Sequence, residues 1–362
     1  MGIKVASEVA GTGLAVNNRR EFNFRHILRI ISILIPLAVI GNITYAVIGS
    51  ESGIWEKLSQ YRVGYLFLAA VLVLIPLGCH TLRLMLWSRK FEVKLTATQS
   101  LKTALIADIG SAATPTIIGG GYLKLLFLIG YGFTPARATL LMVLGTIEDI
   151  LFFSMALPVV IYFTHAWNNQ YVLAAVGNLI SHWPMIAGLA VGIMLLIYFY
   201  RWKKNRHKKQ RQENSKEAKE GLWDRIIGRF KHYKDDFTSA VRFVLREGKS
   251  TLILAMVISG IGWSCRYFAI NALILGLGYE VDPLLYTLLH WVVFSTMTMI
   301  PTPGAVGGAE LSFALVFSGL LPSSIIPVMT GVWRFITFYM EIALGSVYLA
   351  VVGPGFRKNS DA

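Results

Sequence analysis

The sequence has little charge for its length. Asp, Glu, Lys and Arg make up 15% of its 362 residues, whereas soluble domains usually carry about 25%. Hydrophobic residues make up 55% of the chain, and the mean hydropathy is +0.57. This composition excludes an ordinary soluble domain and indicates a protein that lies in a membrane.

The sequence also lacks the residue patterns of most enzymes and metalloproteins. Its two cysteines, Cys79 and Cys265, both fall inside apolar blocks, so we expect no disulfide. No metal-ligand spacing and no nucleophile–base pattern is visible, and the glycine run 119–121 lacks the Lys-Ser/Thr of a nucleotide-binding loop. We therefore predict no metal, no cofactor and no catalytic residue.

The apolar residues occur in blocks long enough to cross a bilayer, which takes about 20 residues. The first block is too long for the apolar part of a signal peptide, and no small-residue cleavage site follows it. We predict one transmembrane helix for each of six blocks, which are residues 27–49, 63–86, 138–163, 179–200, 250–276 and 325–352.

The basic residues predict the topology. The net charge is +14, and the loop 201–249 alone carries 16 Lys and Arg against 7 Asp and Glu. Because basic residues accumulate on the cytoplasmic side, we place the segment 1–26, this loop and the tail 353–362 in the cytoplasm, next to the cytoplasmic membrane. This placement favours anionic inner-leaflet lipids over nucleic acid as the partner of the loop. Within it, residues 222–245 predict an amphipathic helix on the membrane surface.

This topology requires two segments that enter the membrane and return on the same side. Residues 101–131 begin and end inside, and residues 284–320 begin and end outside, so each is predicted to form a re-entrant hairpin. The predicted fold is an all-α polytopic membrane protein with six full transmembrane helices and two oppositely oriented hairpins. Its first membrane half covers residues 27–200 and its second half residues 250–352.

The two hairpins also align with each other. A shift of 188 residues pairs 91–123 with 279–311 without a gap. The identities concentrate at the helix breaks, where they pair Thr114-Pro115 with Thr302-Pro303 and Gly119-Gly120 with Gly307-Gly308. Together with the opposite sidedness, the alignment predicts an inverted repeat. Two unrelated breaks made of common turn residues are the alternative.

Both breaks are predicted to build a binding site. Proline removes an amide donor, so backbone groups freed at the breaks must face protein or water. Secondary transporters place their substrate sites at paired broken helices near the midplane. Hairpins that only pack the core are the alternative. The residues assigned to the site are Pro115, Gly119, Gly120, Pro303, Gly304 and Gly307.

Ionisable residues at membrane depth usually mark pathways. Arg334 requires a partner, and Glu310, Glu341 and Glu148 are the candidates. Arg334 and Glu341 are seven residues apart, which places them on one face of a regular helix. Glu310 opens the returning half-helix, where it either takes part in binding or caps the helix.

Further ionisable residues extend this set. Arg266 and Lys124 are candidate partners for a lipid phosphate, since arginine binds phosphate through two parallel hydrogen bonds and lysine acts as a point charge. His80 and His290 either relay protons or only form hydrogen bonds inside the bundle. Asp108 and Asp149 complete the set of candidates.

The stretches PTPGAVGGAE at 301–310 and TPTIIGGG at 114–121 carry a resemblance to a known family. Over about residues 25–355 the chain is similar to the lysylphosphatidylglycerol synthase-type transmembrane family, which includes lipid-flipping membrane domains. Ala305 stands where that family has a second glycine, and Lys124 where arginine is more usual. Because the chain ends ten residues after the last predicted span, we expect a stand-alone member without the soluble synthase domain.

The resemblance implies movement of a phospholipid or lipid-linked substrate across the cytoplasmic membrane, and no enzymatic activity. In this hypothesis Arg334, Arg266 and Lys124 hold the headgroup phosphate. Glu310 and Glu148 balance charge or receive an amino group, and Glu341 belongs to the same cavity. A membrane enzyme for lipid-linked substrates and a small-solute or ion transporter are the alternatives, and a homo-oligomer is left open.

Overall fold

The computed structural model describes residue 59 and residues 61–114, 118–181, 236–298, 300 and 302–353. These residues form helices and turns, with no strand among them. The predicted span 27–49 and nearly all of 179–200 lie outside the described residues, as do both termini and Pro115.

Ten helices are present in the described part of the chain. In chain order they are α1 (Val63–Lys90), α2 (Ala97–Ala113), α3 (Ile118–Gly130), α4 (Pro135–Phe163), α5 (Gln170–Ser181), α6 (236–247), α7 (Lys249–Gly276), α8 (Pro283–Thr298), α9 (Gly308–Phe317) and α10 (Ile326–Val352). Four of them, α1, α4, α7 and α10, are long and apolar enough to cross a membrane. The prediction of an all-α membrane protein is confirmed, whereas the count of six spans stays a prediction.

Local sequence sets where the helices begin. Thr96 starts α2 with a capping box, because its Oγ1 accepts a hydrogen bond from the Gln99 N–H at 3.2 Å and Gln99 Oε1 accepts one from the Thr96 N–H at 2.9 Å. Thr134 caps α4 in a similar way, with Pro135 as the first helical residue. These caps fix the entry points of two helices that contribute to the candidate site.

The helices fall into two units with the same order of lengths. The helices α1 to α4 run long, short, short, long, and α7 to α10 repeat this order. Shifted by 188 residues, α2 would cover 285–301, and α8 covers 283–298. With the same shift α3 would cover 306–318, and α9 covers 308–317. The break between the short helices therefore recurs at the spacing of the sequence alignment.

The corresponding helices α1 and α7 pack against each other in opposite directions. The Arg62 N–H donates to the Gly276 carbonyl at 3.0 Å. Further along α1, Arg83 donates to Ser259 Oγ at 2.9 Å. Residue numbers thus rise along one helix while they fall along the other. At this contact the two units run in opposite senses.

Glycines bring the backbones of α2 and α3 into contact. A Cβ on Gly110 would lie 3.2 Å from the carbonyl oxygen of Gly119. A Cβ on Gly120 would overlap the carbonyl oxygen of Ala107 and the side chain of Ser111. The glycines beside the first break therefore have a packing role, as the alternative of hairpins that pack the core predicts for them.

Residues 236–247 form α6, whose apolar side packs on the protein. Ala240 and Val244 are buried in a cluster with residues of α1, α3 and α4. Asp236, the first described residue of this helix, accepts a hydrogen bond from Thr134 Oγ1 at 2.6 Å. In the described part of the predicted amphipathic helix 222–245, Ala240 and Val244 are covered by protein and Leu245 is exposed, and the placement of this helix on the membrane surface stays a prediction.

The contact between α2 and α3 can be tested with Gly120→Ala. The added methyl group meets a backbone carbonyl that cannot move freely, and overpacking of this kind usually costs about 1–3 kcal/mol. We expect a lower unfolding temperature in detergent. The control is Gly78→Ala in α1, where a Cβ meets nothing within 4 Å and alanine favours the helix. Equal unfolding temperatures for both variants would contradict the close contact.

Candidate functional site

A polar cavity of ≈ 240 Å³ lies between the helices of the two units. Its lining includes three basic and three acidic side chains, which are Arg83, Lys124, Arg266, Asp108, Asp149 and Glu341. They come from α1, α2, α3, α4, α7 and α10. Three of them, Lys124, Arg266 and Glu341, belong to the binding residues predicted from sequence. The cavity therefore brings residues of both halves of the chain together.

Arg83 is the most connected side chain of the cavity. Its Nε donates to Glu148 Oε2 at 2.7 Å, and its Nη1 donates to Asp149 Oδ1 at 3.0 Å. Its Nη2 donates to the Gly145 carbonyl at 2.9 Å. Glu148 is fully buried and also accepts a hydrogen bond from Trp87 Nε1 at 2.6 Å. These contacts join α1 to α4. Glu148 itself does not line the cavity and is connected to it through Arg83.

Arg266 and Glu341 form a two-pronged ion pair. Both guanidinium Nη atoms donate to the carboxylate oxygens of Glu341 at 3.0 Å. A third hydrogen bond runs to the Thr337 carbonyl at 3.2 Å. The Nε of Arg266 is buried and has no hydrogen-bond partner among the described residues. The same fork geometry that holds this carboxylate suits a phosphate.

Lys124 and His80 form a hydrogen-bonded pair at the other side of the cavity. Lys124 Nζ lies 2.9 Å from His80 Nε2. An ammonium group can only donate, so His80 Nε2 is the acceptor and the ring proton sits on Nδ1. Asp108, on α2, also lines the cavity and is exposed to it. Lys124 is therefore in place to meet an anionic group that enters.

The second break is a tight turn held by Arg334 and Glu310. Arg334 Nη2 donates to the Gly304 carbonyl at 2.8 Å, and its Nε donates to Glu310 Oε1 at 3.1 Å. Glu310 Oε2 accepts the Gly307 N–H at 2.7 Å. Only 1% of the Arg334 side chain is exposed. Of the three partners that the sequence allowed for Arg334, the structure selects Glu310.

The turn uses backbone conformations that favour glycine. Gly304 has φ +61° and Gly307 has φ +81°. A Cβ on Gly304 would also overlap the ring of Phe338, over which the Arg334 guanidinium lies at 4.3 Å from the ring centroid. Ala305 adopts φ +54° although it carries a side chain. Its position in the turn explains why the family pattern has glycine there.

A π-helical segment at Phe335–Tyr339 changes the faces of α10. Arg334 lies just before it and Glu341 just after it. A π segment adds a residue to one turn of a helix, so the face of the residues that follow is rotated. Consequently Arg334 contacts the turn while Glu341 reaches the cavity. The shared face predicted from the seven-residue spacing is wrong.

His290 has a structural role. Its Nε2 accepts a hydrogen bond from Trp333 Nε1 at 2.8 Å, and Nδ1 lies 2.9 Å from the Tyr267 carbonyl oxygen. Since the indole can only donate, Nδ1 carries the proton and donates to the carbonyl. Both ring nitrogens are occupied, which favours the hydrogen-bonded interpretation over a proton relay.

Sequence reasoning missed Arg83 as a site residue. It lies inside the second predicted span, 63–86, and inside α1, which continues to Lys90. The signal was present, because apolar residues flank Arg83 on both sides in the stretch TLRLMLW at 81–87. A basic residue enclosed in this way is more typical of a buried ion pair than of a helix end.

Long apolar helices around a charged cavity define a multi-pass helical membrane protein. The chain belongs to the family described as the lysylphosphatidylglycerol synthase TM region, whose sequence pattern matches residues 30–345. It is also 24% identical over 293 residues to a UPF0104 membrane protein of Archaeoglobus fulgidus, an alignment that covers 77% of this chain and 84% of that protein. No solved structure matches the chain. The family confirms the resemblance and indicates a lipid-related function.

The pair Glu310–Arg334 can be tested by a double-mutant cycle. Glu310→Gln leaves the buried guanidinium without its carboxylate, and breaking a buried pair costs about 3–5 kcal/mol. We expect a large loss of stability for Glu310→Gln and for Arg334→Met, and a double variant that loses less than their sum. The measurement is the unfolding temperature in detergent. As a control, Arg137→Met removes an exposed partner 3.9 Å from Asp236 and should have little effect. Additive losses would contradict the coupling.

The strain at Ala305 predicts that Ala305→Gly stabilises the protein slightly. An L-residue in the left-handed region costs about 1–2 kcal/mol, and glycine adds about 0.5–1 kcal/mol of unfolded-state entropy. The net gain therefore lies between about 0 and 1.5 kcal/mol. Unfolding temperatures of Ala305→Gly and of Ala309→Gly, inside α9, provide the comparison, because the second substitution should destabilise its helix. A similar loss in both variants would refute the left-handed conformation of Ala305.

Proposed function

We propose that this protein moves phospholipids or lipid-linked molecules between the leaflets of the cytoplasmic membrane. The observation that carries the proposal is the ≈ 240 Å³ cavity with three basic and three acidic side chains between helices of membrane-spanning length. Moving a bare ion into hydrocarbon costs on the order of 20 kcal/mol in the idealised Born limit. A cavity of this kind lowers that cost for a charged headgroup while the acyl chains stay in lipid.

The headgroup phosphate would bind between Lys124 and Arg266. Lys124 provides a positive point charge, and Arg266 provides two parallel donors that now hold Glu341. A phosphate can replace the Glu341 carboxylate at these donors, or use the unpaired Nε. The acidic residues then limit the net charge of the cavity. No chemical bond changes, so the protein acts as a transporter and not as an enzyme.

The two units supply the movement. In the proposal they form an inverted repeat with six full spans, in which the hairpins 101–131 and 284–320 enter from opposite faces. The antiparallel contact of α1 and α7 and the repeated order of helices support this arrangement. Rocking of one unit against the other would open the cavity to each leaflet in turn.

Arg334 and Glu310 take a positioning role in this scheme. They hold the turn Pro303–Ala305, which contacts α2 and thereby links the second hairpin to the first. Gly304 and Gly307 allow the turn itself. Glu148 fixes Arg83 on the cavity wall. The loop 201–249 would contact anionic lipids of the inner leaflet, with both termini in the cytoplasm.

The proposal predicts that Arg266→Lys slows lipid movement. Lysine keeps the charge but loses the fork, and a charge-assisted hydrogen bond contributes about 1.5–3 kcal/mol, equivalent to about tenfold or more in rate. The measurement is the transfer of a fluorescent phosphatidylglycerol analogue between leaflets of proteoliposomes, followed by quenching from outside.

The matched control is Arg242→Lys, at an exposed position on α6. It should transfer lipid at the wild-type rate. The elution volume of each purified variant on size exclusion reports whether it remains folded. Wild-type protein that transfers no lipid faster than empty vesicles would refute the proposed function. Transfer of a small solute without lipid would point to the alternative transporter.

A further inference from the structure

We infer that Lys124, His80 and Asp108 form a proton-binding site through which lipid movement is coupled to proton movement. This inference rests on the proposed function, for which it names the source of energy. Its first support is that these residues line the same cavity, on α3, α1 and α2.

The pair Lys124–His80 shares a single proton. The two nitrogens are 2.9 Å apart, and such a hydrogen bond needs one donor and one acceptor. If both groups were protonated, both could only donate, and the bond would be replaced by repulsion between two cations. The pair therefore holds at most one positive charge, which is available to an entering phosphate when Lys124 is protonated.

Asp108 is the cavity carboxylate outside an ion pair. Asp149 is paired with Arg83 and Glu341 with Arg266. Asp108 takes part in no ion pair within 4.0 Å among the described residues, and it is exposed to the cavity. A carboxylate with access to water and no fixed cation can bind and release a proton without breaking a structural contact.

Other charged groups surround Lys124, His80 and Asp108, but these groups are already paired with one another. The groups whose charges act on it are Arg83 on α1, Glu148 and Asp149 on α4, Arg266 on α7 and Glu341 on α10. Arg83 is bonded to both carboxylates of α4, and Arg266 to Glu341. When the number of protons bound in the cavity changes, the proton is therefore gained or lost by Lys124, His80 or Asp108.

The proton step balances without a further reactant. With a phosphate bound, Lys124 is an ammonium. When the phosphate leaves, a proton passes from Lys124 Nζ to the Asp108 carboxylate, so that one N–H bond breaks, one O–H bond forms and the net charge is unchanged. Asp108 then releases the proton to water on one side, and Lys124 takes up a new one on the other side.

A transmembrane pH difference tests the coupling. In proteoliposomes, the equilibrium distribution of a fluorescent phosphatidylglycerol analogue between leaflets should shift by up to about tenfold per unit of pH difference if one proton accompanies each lipid. The variant Asp108→Asn should lose the shift, because no carboxylate is left to accept the proton, and a shift equal to that of the wild type would overturn the coupling. The control Glu247→Gln, an exposed carboxylate at the end of α6, should retain it.

The outcomes separate the two proposals. A wild-type distribution that ignores the pH difference while lipid moves would overturn the coupling and leave the lipid function intact. Absence of any lipid movement would refute the proposed function.

The pair can also be tested without transport, by nitrogen NMR of histidine-labelled protein with His80→Gln for assignment. We expect His80 protonated at Nδ1 in the wild type and in Lys249→Met, and a mixture of tautomers in Lys124→Met. An identical His80 signal in wild type and Lys124→Met would overturn the inference.

Discussion

A buried arginine between apolar helices is stable only when a carboxylate lies close to it, and this constraint organises the described structure. Arg83, Arg266 and Arg334 each bind a carboxylate, at 2.7, 3.0 and 3.1 Å. Two of the pairs join helices that are distant in the sequence, α1 with α4 and α7 with α10, and the third joins the consecutive helices α9 and α10. Since an unpaired charge at this depth is so unfavourable, the ion pairs restrict which helices can be neighbours.

The three arginines differ in how much water can reach them. Arg334 is 1% exposed and its contacts hold the turn between α8 and α9. Arg83 and Arg266 are 13% and 19% exposed and border the cavity. Their partner carboxylates do not follow this order, since Glu148 is 0%, Glu341 18% and Glu310 16% exposed. Arg83 and Arg266 thus differ from Arg334 in lining the cavity, and not in the burial of the whole pair.

The sequence predicted the helical membrane fold, the breaks near 114 and 302 and most of the charged residues of the cavity. These features follow from composition, apolar block length and proline–glycine spacing, which are local properties. The pairing of charges was not predictable, because it depends on helix rotation. The π segment in α10 rotates Glu341 away from Arg334. Its residues, FITFY, form no pattern that predicts a π-helix. The role of Arg83 was not predicted either, because it depends on which side chains of α4 lie next to α1.

The repeat of the helices does not extend to the charges. At the 188-residue shift, the counterparts of Lys124, Asp108 and Asp149 are Ser312, Thr296 and Thr337, and Ser312 Oγ is buried with no hydrogen-bond partner among the described residues. These three counterparts carry hydroxyl groups, whereas the cavity residues carry charges. The two units are therefore equivalent in the order and length of their helices but not in the charges that they carry.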